Sequence, residues 1–152
     1  MSLTVRAPLA GTVISIEDVP DPVFAGRLVG PGLALEPERT GGRVTALAPV
    51  RGTLIKVHPH AFVIAGEGGR AVLVHLGLDT VSLAGAGFTV HAAQGAPVEA
   101  GDPVISFSPD RIEAEGLSPV VPVVALDAEE SDLALAPPGT ALSPGRTAFT
   151  WA

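Results

Sequence analysis

The chain has 152 residues, 47% hydrophobic and 16% charged, which suits one folded domain (1–152) with a sizeable core and excludes a disordered chain. Its net charge of −7, carried against one lysine (Lys56) and eight scattered arginines, offers no basic patch and argues against nucleic acid as a partner. No cysteine is present, so disulfides and thiol chemistry are excluded.

No apolar run approaches the roughly 20 residues that span a bilayer. The start, Met1-Ser2-Leu3-Thr4-Val5-Arg6, lacks a secretory pattern, so a cytoplasmic location is expected. Gly 18 and Pro 15 cut the chain into short segments, which disfavours long helices.

In chain order, Thr12–Ile16 has the branched composition of a strand. The stretch from Glu17 to Ala25 follows, with two prolines and three acids around Val19, Val23 and Phe24. It reads either as a loop with a buried Phe or as an apolar patch held out for a partner. Thr53–Val57 is the next strand, and Gly66-Glu67-Gly68-Gly69 is a turn that joins two histidine-bearing phrases into a hairpin. Ala71–Leu76 and Pro103–Phe107 are further strands, and Asp110–Glu115, stopped by Gly116, is a short helix. Leu135 to Ser143 reads as a loop before a last strand, Arg146–Trp151. The sum is an all-β chain, a compact antiparallel β-sandwich with at most short helices. Ala7-Pro8-Leu9-Ala10-Gly11-Thr12-Val13 is echoed by Ala48-Pro49-Val50-Arg51-Gly52-Thr53-Leu54, either by repeated turn chemistry or by duplication.

Two of the four histidines lie in apolar phrases, His60 in Pro59-His60-Ala61-Phe62-Val63 and His75 in Leu73-Val74-His75-Leu76-Gly77-Leu78-Asp79. A lone buried histidine is usually bonded to a backbone carbonyl. Two of them, at comparable distances from one hairpin turn, can instead meet across strands at about 5 Å and share a proton, a metal or an anion. His58 stands two residues before His60, on the same strand face, and Asp79 four after His75. Three imidazoles and a carboxylate make a zinc set, with His60 and His75 the leading ligands. The H-x-H and H-x-x-x-D spacing is similar to that of zinc endopeptidases of bacterial cell walls, in reversed order. His91 reads as a surface or turn residue. Lys56 lies inside Leu54-Ile55-Lys56-Val57, without the flanking residues of a biotinyl or lipoyl carrier hairpin, which leaves that swinging-arm class as an alternative.

From Ala7 to about Val124 the chain resembles the glucose-type enzyme IIA of the bacterial phosphoenolpyruvate-dependent sugar phosphotransferase system. The resemblance is carried by Ala7–Gly11, Glu17–Asp21 with Val23-Phe24-Ala25, Val29–Leu35, Ala48–Thr53, His60-Ala61-Phe62, Val74–Val81, Gly85–Phe88 and Ser118–Val121. It implies that His75 carries a phosphoryl group and that His60 donates a hydrogen bond to it, with no cofactor required. It implies the histidine phosphocarrier protein as donor and a cysteine on the IIB domain of a sugar permease as acceptor. Regulated transporters or kinases join the partner list, and the membrane is met only through the permease. Asp21, Val23 and Phe24 would belong to the docking surface. The second nitrogen of His75 would need a backbone carbonyl as acceptor, leaving Asp79 to meet an arginine on a partner. With no cysteine to serve as IIB, the chain is expected to be a free-standing IIA or a separated piece of a permease. Units of this type serve glucose, N-acetylglucosamine and β-glucosides. Where the family has a threonine two residues before its first histidine, this chain has His58, which either substitutes as a donor or points away. Pro22 replaces a common valine in the docking stretch.

Overall fold

The computed structural model describes residues 2–152. Fourteen strands and two short helices follow one another: β1 (Leu3–Arg6), β2 (Gly11–Ser15), α1 (Pro22–Ala25), β3 (Gly32–Pro37), β4 (Val44–Leu47), β5 (Gly52–His58), β6 (Ala61–Ala65), β7 (Ala71–His75), β8 (Thr89–Val90), β9 (Pro97–Val98), β10 (Pro103–Phe107), α2 (Pro109–Ala114), β11 (Val121–Ala125), β12 (Leu133–Leu135), β13 (Ala141–Leu142) and β14 (Thr147–Trp151). The expected antiparallel β architecture is present. An eight-stranded sheet runs β13-β2-β3-β11-β7-β6-β5-β9, and two three-stranded sheets run β1-β14-β12 and β4-β10-β8.

The order of the large sheet is a palindrome about the β11–β7 contact. β13 matches β9, β2 matches β5, and β3 matches β6. The hydrogen bonds repeat position by position. Ala7 donates to Arg146 and accepts from Gly145, as Ala48 donates to Asp102 and accepts from Gly101. Val13 donates to Thr140 and accepts from Gly139, as Leu54 donates to Ala96 and accepts from Gly95. Turn residues alone recur without matched partners. A shared network of partners is what duplication of one unit produces, and it settles the sequence echo in favour of a repeat.

The main core lies between the sheets and includes Leu9, Leu35, Phe62, Ile64, Phe107 and Phe149, each 1% exposed or less. A second cluster covers the other face of the large sheet. It joins Ile16, Val19 and Phe24 to Ala34, Leu78, Val120 and Val124. β3 and β11, which are nearly or fully buried along their length, carry the near-continuous apolar runs expected of strands covered on both faces.

The helix read at Asp110–Glu115 is present as α2, one residue earlier. Ser108 caps it by accepting from the Arg111 N–H at 3.2 Å, and Pro109 opens it. Two expectations are corrected. Ile16, read as the end of a strand, opens a 3-10 turn (Ile16–Asp18), and the stretch Glu17–Ala25, read as a loop or a patch, also holds α1, because Asp21 accepts from the Val23 N–H at 2.9 Å and Pro22 occupies the first helical position. The segment from Leu135 to Ser143, read as a loop, ends β12 and contains β13, whose two residues pair with Thr12 and Gly11 on β2.

Candidate active site

The hairpin of β6 and β7 turns through Glu67–Gly69, where Gly68 adopts φ 71, and its register sets Ala61 opposite His75. His60 precedes β6 at the β5–β6 turn, and its carbonyl accepts the Leu76 N–H at 2.7 Å. The imidazoles therefore meet at the open end of the hairpin, with ring centroids 5.2 Å apart and planes at 70°. The pairing across strands read from the sequence is present, offset by one residue from strict opposition.

His75 Nδ1 lies 2.6 Å from the Gly77 carbonyl oxygen. A carbonyl only accepts, so Nδ1 carries the proton, and in the neutral ring the lone pair is on Nε2. A backbone carbonyl thus orients His75, while Asp79 is exposed and makes no hydrogen bond to the ring among the described residues. The carbonyl is itself fixed. Gly77 donates to the Val120 carbonyl at 3.0 Å and Leu78 to that of Ser118 at 2.9 Å. The Thr80 hydroxyl, buried, donates to the Leu76 carbonyl at 2.8 Å. Gly77 adopts φ +83, and a Cβ there would stand 2.6 Å from Thr80 Cγ2.

Burial pushes the His75 pKa below the ordinary imidazole value, against the upward pull of the Gly77 hydrogen bond and the Asp21 and Asp79 carboxylates. Burial also lowers that of His60, helped by the neighbouring His75 and His58. Two half-buried imidazoles are therefore neutral at neutral pH, one with an oriented lone pair.

The other expected site residues fall into place unevenly. Phe24, expected on the docking rim, is only 6% exposed. Its ring packs edge-on against His75 at 5.2 Å, so it is a wall of the site rather than an offered surface. Val23 is 42% exposed, and Asp21 caps α1 close enough to act on His75. His58 stacks on His60 at 5.8 Å and makes no hydrogen bond to either ring among the described residues. No group of three or more His, Cys, Asp or Glu converges among the described residues, so a metal at His60 and His75 would have those two as its only converging ligands. Lys56 lies within β5 rather than at a hairpin tip. His91, expected at the surface, is exposed, and its Nε2 also meets the Ser106 hydroxyl at 2.6 Å. The sequence reading missed Gly77, Thr80 and Ser118. The signal available was the glycine and threonine following the histidine in Leu76-Gly77-Leu78-Asp79-Thr80, a positive-φ turn closed by a hydroxyl.

A family model described as phosphoenolpyruvate-dependent sugar phosphotransferase system, EIIA 1, matches residues 3–131. The glucose-specific EIIA component of Bacillus cereus is 39% identical over 146 residues, covering 95% of this chain and 86% of that protein. The glucose-specific EIIBCA component of Corynebacterium glutamicum is 41% identical over 126 residues, covering 83% of this chain but only 18% of that longer protein. Among solved structures, glucose permease IIA from Mycoplasma capricolum superposes with a TM-score of 0.89 at 32% identity, covering 99% of this chain and 96% of that one.

Proposed function

The chain belongs to the EIIA 1 family of the phosphoenolpyruvate-dependent sugar phosphotransferase system, whose members are phosphoryl carriers in sugar transport, and on that premise we propose that His75 Nε2 is the carrying atom. The observation that carries this reading is the 2.6 Å bond from His75 Nδ1 to the Gly77 carbonyl, which reserves Nε2 as the nucleophile beside His60. In the first step the Nε2 lone pair attacks phosphorus in the phosphohistidine of the histidine phosphocarrier protein. The donor N–P bond breaks as the new one forms, and the donor ring keeps the electron pair. In the second step a cysteine thiolate of a permease IIB domain attacks the same phosphorus, and His75 leaves as neutral imidazole. Nδ1 keeps its proton throughout.

His60 is half-buried beside the ring and takes up a proton as the doubly negative phosphoryl group arrives, becoming a charge-assisted donor. Asp21 and Asp79 put negative charge near the group and raise its transfer potential. Exposed Val23 joins the surface that receives partners. That relatives exist as IIBCA fusions supports a IIB domain as the acceptor. No helix among the described residues is long and apolar enough to cross a membrane, in keeping with work on the cytoplasmic side of the permease. Glucose is in the names of several relatives and mannose in that of another, which supports a hexose, with glucose the first to test.

The test is reconstitution with phosphoenolpyruvate, the first enzyme of the system and the phosphocarrier. One acid-labile phosphate per chain is expected, and an unlabelled intact protein would overturn the assignment. His60→Gln should still accept phosphate, since an amide can hydrogen-bond the group. Because it cannot take up the proton, onward transfer should fall by about 10². Onward transfer at the wild-type rate would remove His60 from the mechanism. Stoichiometric zinc in the purified protein, lost in His60→Gln and His75→Ala, would instead favour a metal reading of the same pair.

A further inference from the structure

We propose that the groove between Arg43 and Arg111, apart from the histidine pair, binds a phosphate group, either as inorganic phosphate or on a small monoester. The sequence shows eight scattered arginines, but the fold brings two of them to one opening of about 410 Å³, lined also by Gly87, Phe88, Thr89 and Ser108. A volume of this size suits a small ligand.

The lining is a set of donors without a carboxylate. Neither arginine is in an ion pair among the described residues, although the chain is acidic. Two acids of α2 are engaged elsewhere. Glu113 pairs with Arg39 at 3.0 Å, and Asp110 accepts the Gly41 N–H at 2.9 Å. Arg43 is held by donating to Thr89 Oγ1 at 2.6 Å and to the Ser106 carbonyl at 3.0 Å. Arg111 lies over Gly87, where a Cβ would come within 3.1 Å of its Cδ and 3.2 Å of its Nε, so a larger residue there would make the guanidinium shift by a few tenths of an ångström. Thr89 Oγ1 accepts from Arg43, and Ser108 Oγ accepts from the Arg111 N–H at 3.2 Å. Each hydroxyl therefore keeps its own proton to give. Two guanidinium groups and two hydroxyl protons facing one opening form a site for a compact, multiply charged oxyanion. A neutral sugar would find as side-chain acceptors only the remaining lone pairs of the two hydroxyls, whereas the donors outnumber them.

The test is titration of the ¹⁵N-labelled protein with inorganic phosphate and, separately, with glycerol 3-phosphate at physiological ionic strength. Amide shifts should centre on Gly87, Thr89 and Arg111. Arg111→Ala and Arg43→Ala should each raise the Kd about tenfold or more, while Arg146→Ala, an exposed arginine elsewhere, changes nothing. Arg43 ties β8 to β10, so Arg43→Lys, which keeps the charge, is the companion variant and should bind more tightly than Arg43→Ala. Equal affinity for the two probes means that the phosphate group alone is recognised, and tighter binding of the ester means that the rest of the groove takes part. Absence of binding, shifts centred on His60 and His75, or affinity unchanged in the alanine variants would each overturn the proposal. His75→Ala should leave this binding intact, so the outcome is independent of the phosphoryl-carrier assignment.

Discussion

Replacing His75 by alanine should reduce acid-labile phosphate in the reconstituted system to background, with the fold intact. The side chain is half-buried at a strand end, and its ring bonds only to the Gly77 carbonyl among the described residues. Its loss therefore removes the proposed nucleophile without opening the main core. Melting within a few degrees of wild type, together with no label, is the expected pair of readings. Label retained in the variant would move the carrier to another side chain. The state of the ring before transfer can be read separately. In a histidine ring-proton titration, His75 and His60 should both show midpoints on the acid side of about 6.5, since burial outweighs the hydrogen bond and the carboxylates. A His75 midpoint above that value would mean that Asp21 and Asp79 win. The sign for stability follows. The unfolded chain takes up these two protons first, so their contribution is full above about 6.5 and is lost as pH falls through the lower folded values.

The second large effect is expected at Gly77. Gly77→Ala places a Cβ 2.6 Å from Thr80 Cγ2 and 3.1 Å from the Ser118 carbonyl, at φ +83. Left-handed strain and overpacking together should cost about 2–4 kcal/mol and lower Tm by about 5–15 °C. Phosphate acceptance should fall beyond what stability explains, because the carbonyl that holds His75 Nδ1 moves with the residue. The double variant Gly77→Ala with Thr80→Ser removes the clashing methyl while keeping the hydroxyl that bonds Leu76. It should recover the part of the loss due to packing and leave the backbone strain. A Gly77→Ala protein that melts and accepts phosphate as wild type does would show that the turn is not what orients His75.

Much of this was legible in the chain. The strand phrases and the hairpin turn follow from branched residues bounded by glycine and proline, and the two histidines stood out because their apolar flanks demanded partners. The antiparallel sandwich was expected and is observed. What escaped the sequence were contacts between distant segments. For Phe24 the sequence left a buried ring and an offered patch both open, and the resemblance favoured docking. Its burial depends on Leu78 and Val120, which only the folded sheet brings beneath it. The helix at Pro22–Ala25 is four residues long and depends on the Asp21 cap, too short for periodicity to reveal. The pairing of Arg43 with Arg111 across Gly87 spans 68 positions and leaves no local pattern.

The palindromic sheet has a consequence for capacity. Its two-fold relation superposes the Leu76–His60 backbone bond on the bond from the Ala125 N–H to the Pro31 carbonyl, and the Ala61–His75 pair on Gly32–Val124. The counterparts of the two imidazoles are thus a proline and a valine, neither able to hold a phosphoryl group. The scaffold is doubled, but its load is not. On the proposed assignment of His75, each molecule carries one phosphoryl group at a time, so flux through it would rise only with faster reloading or more copies.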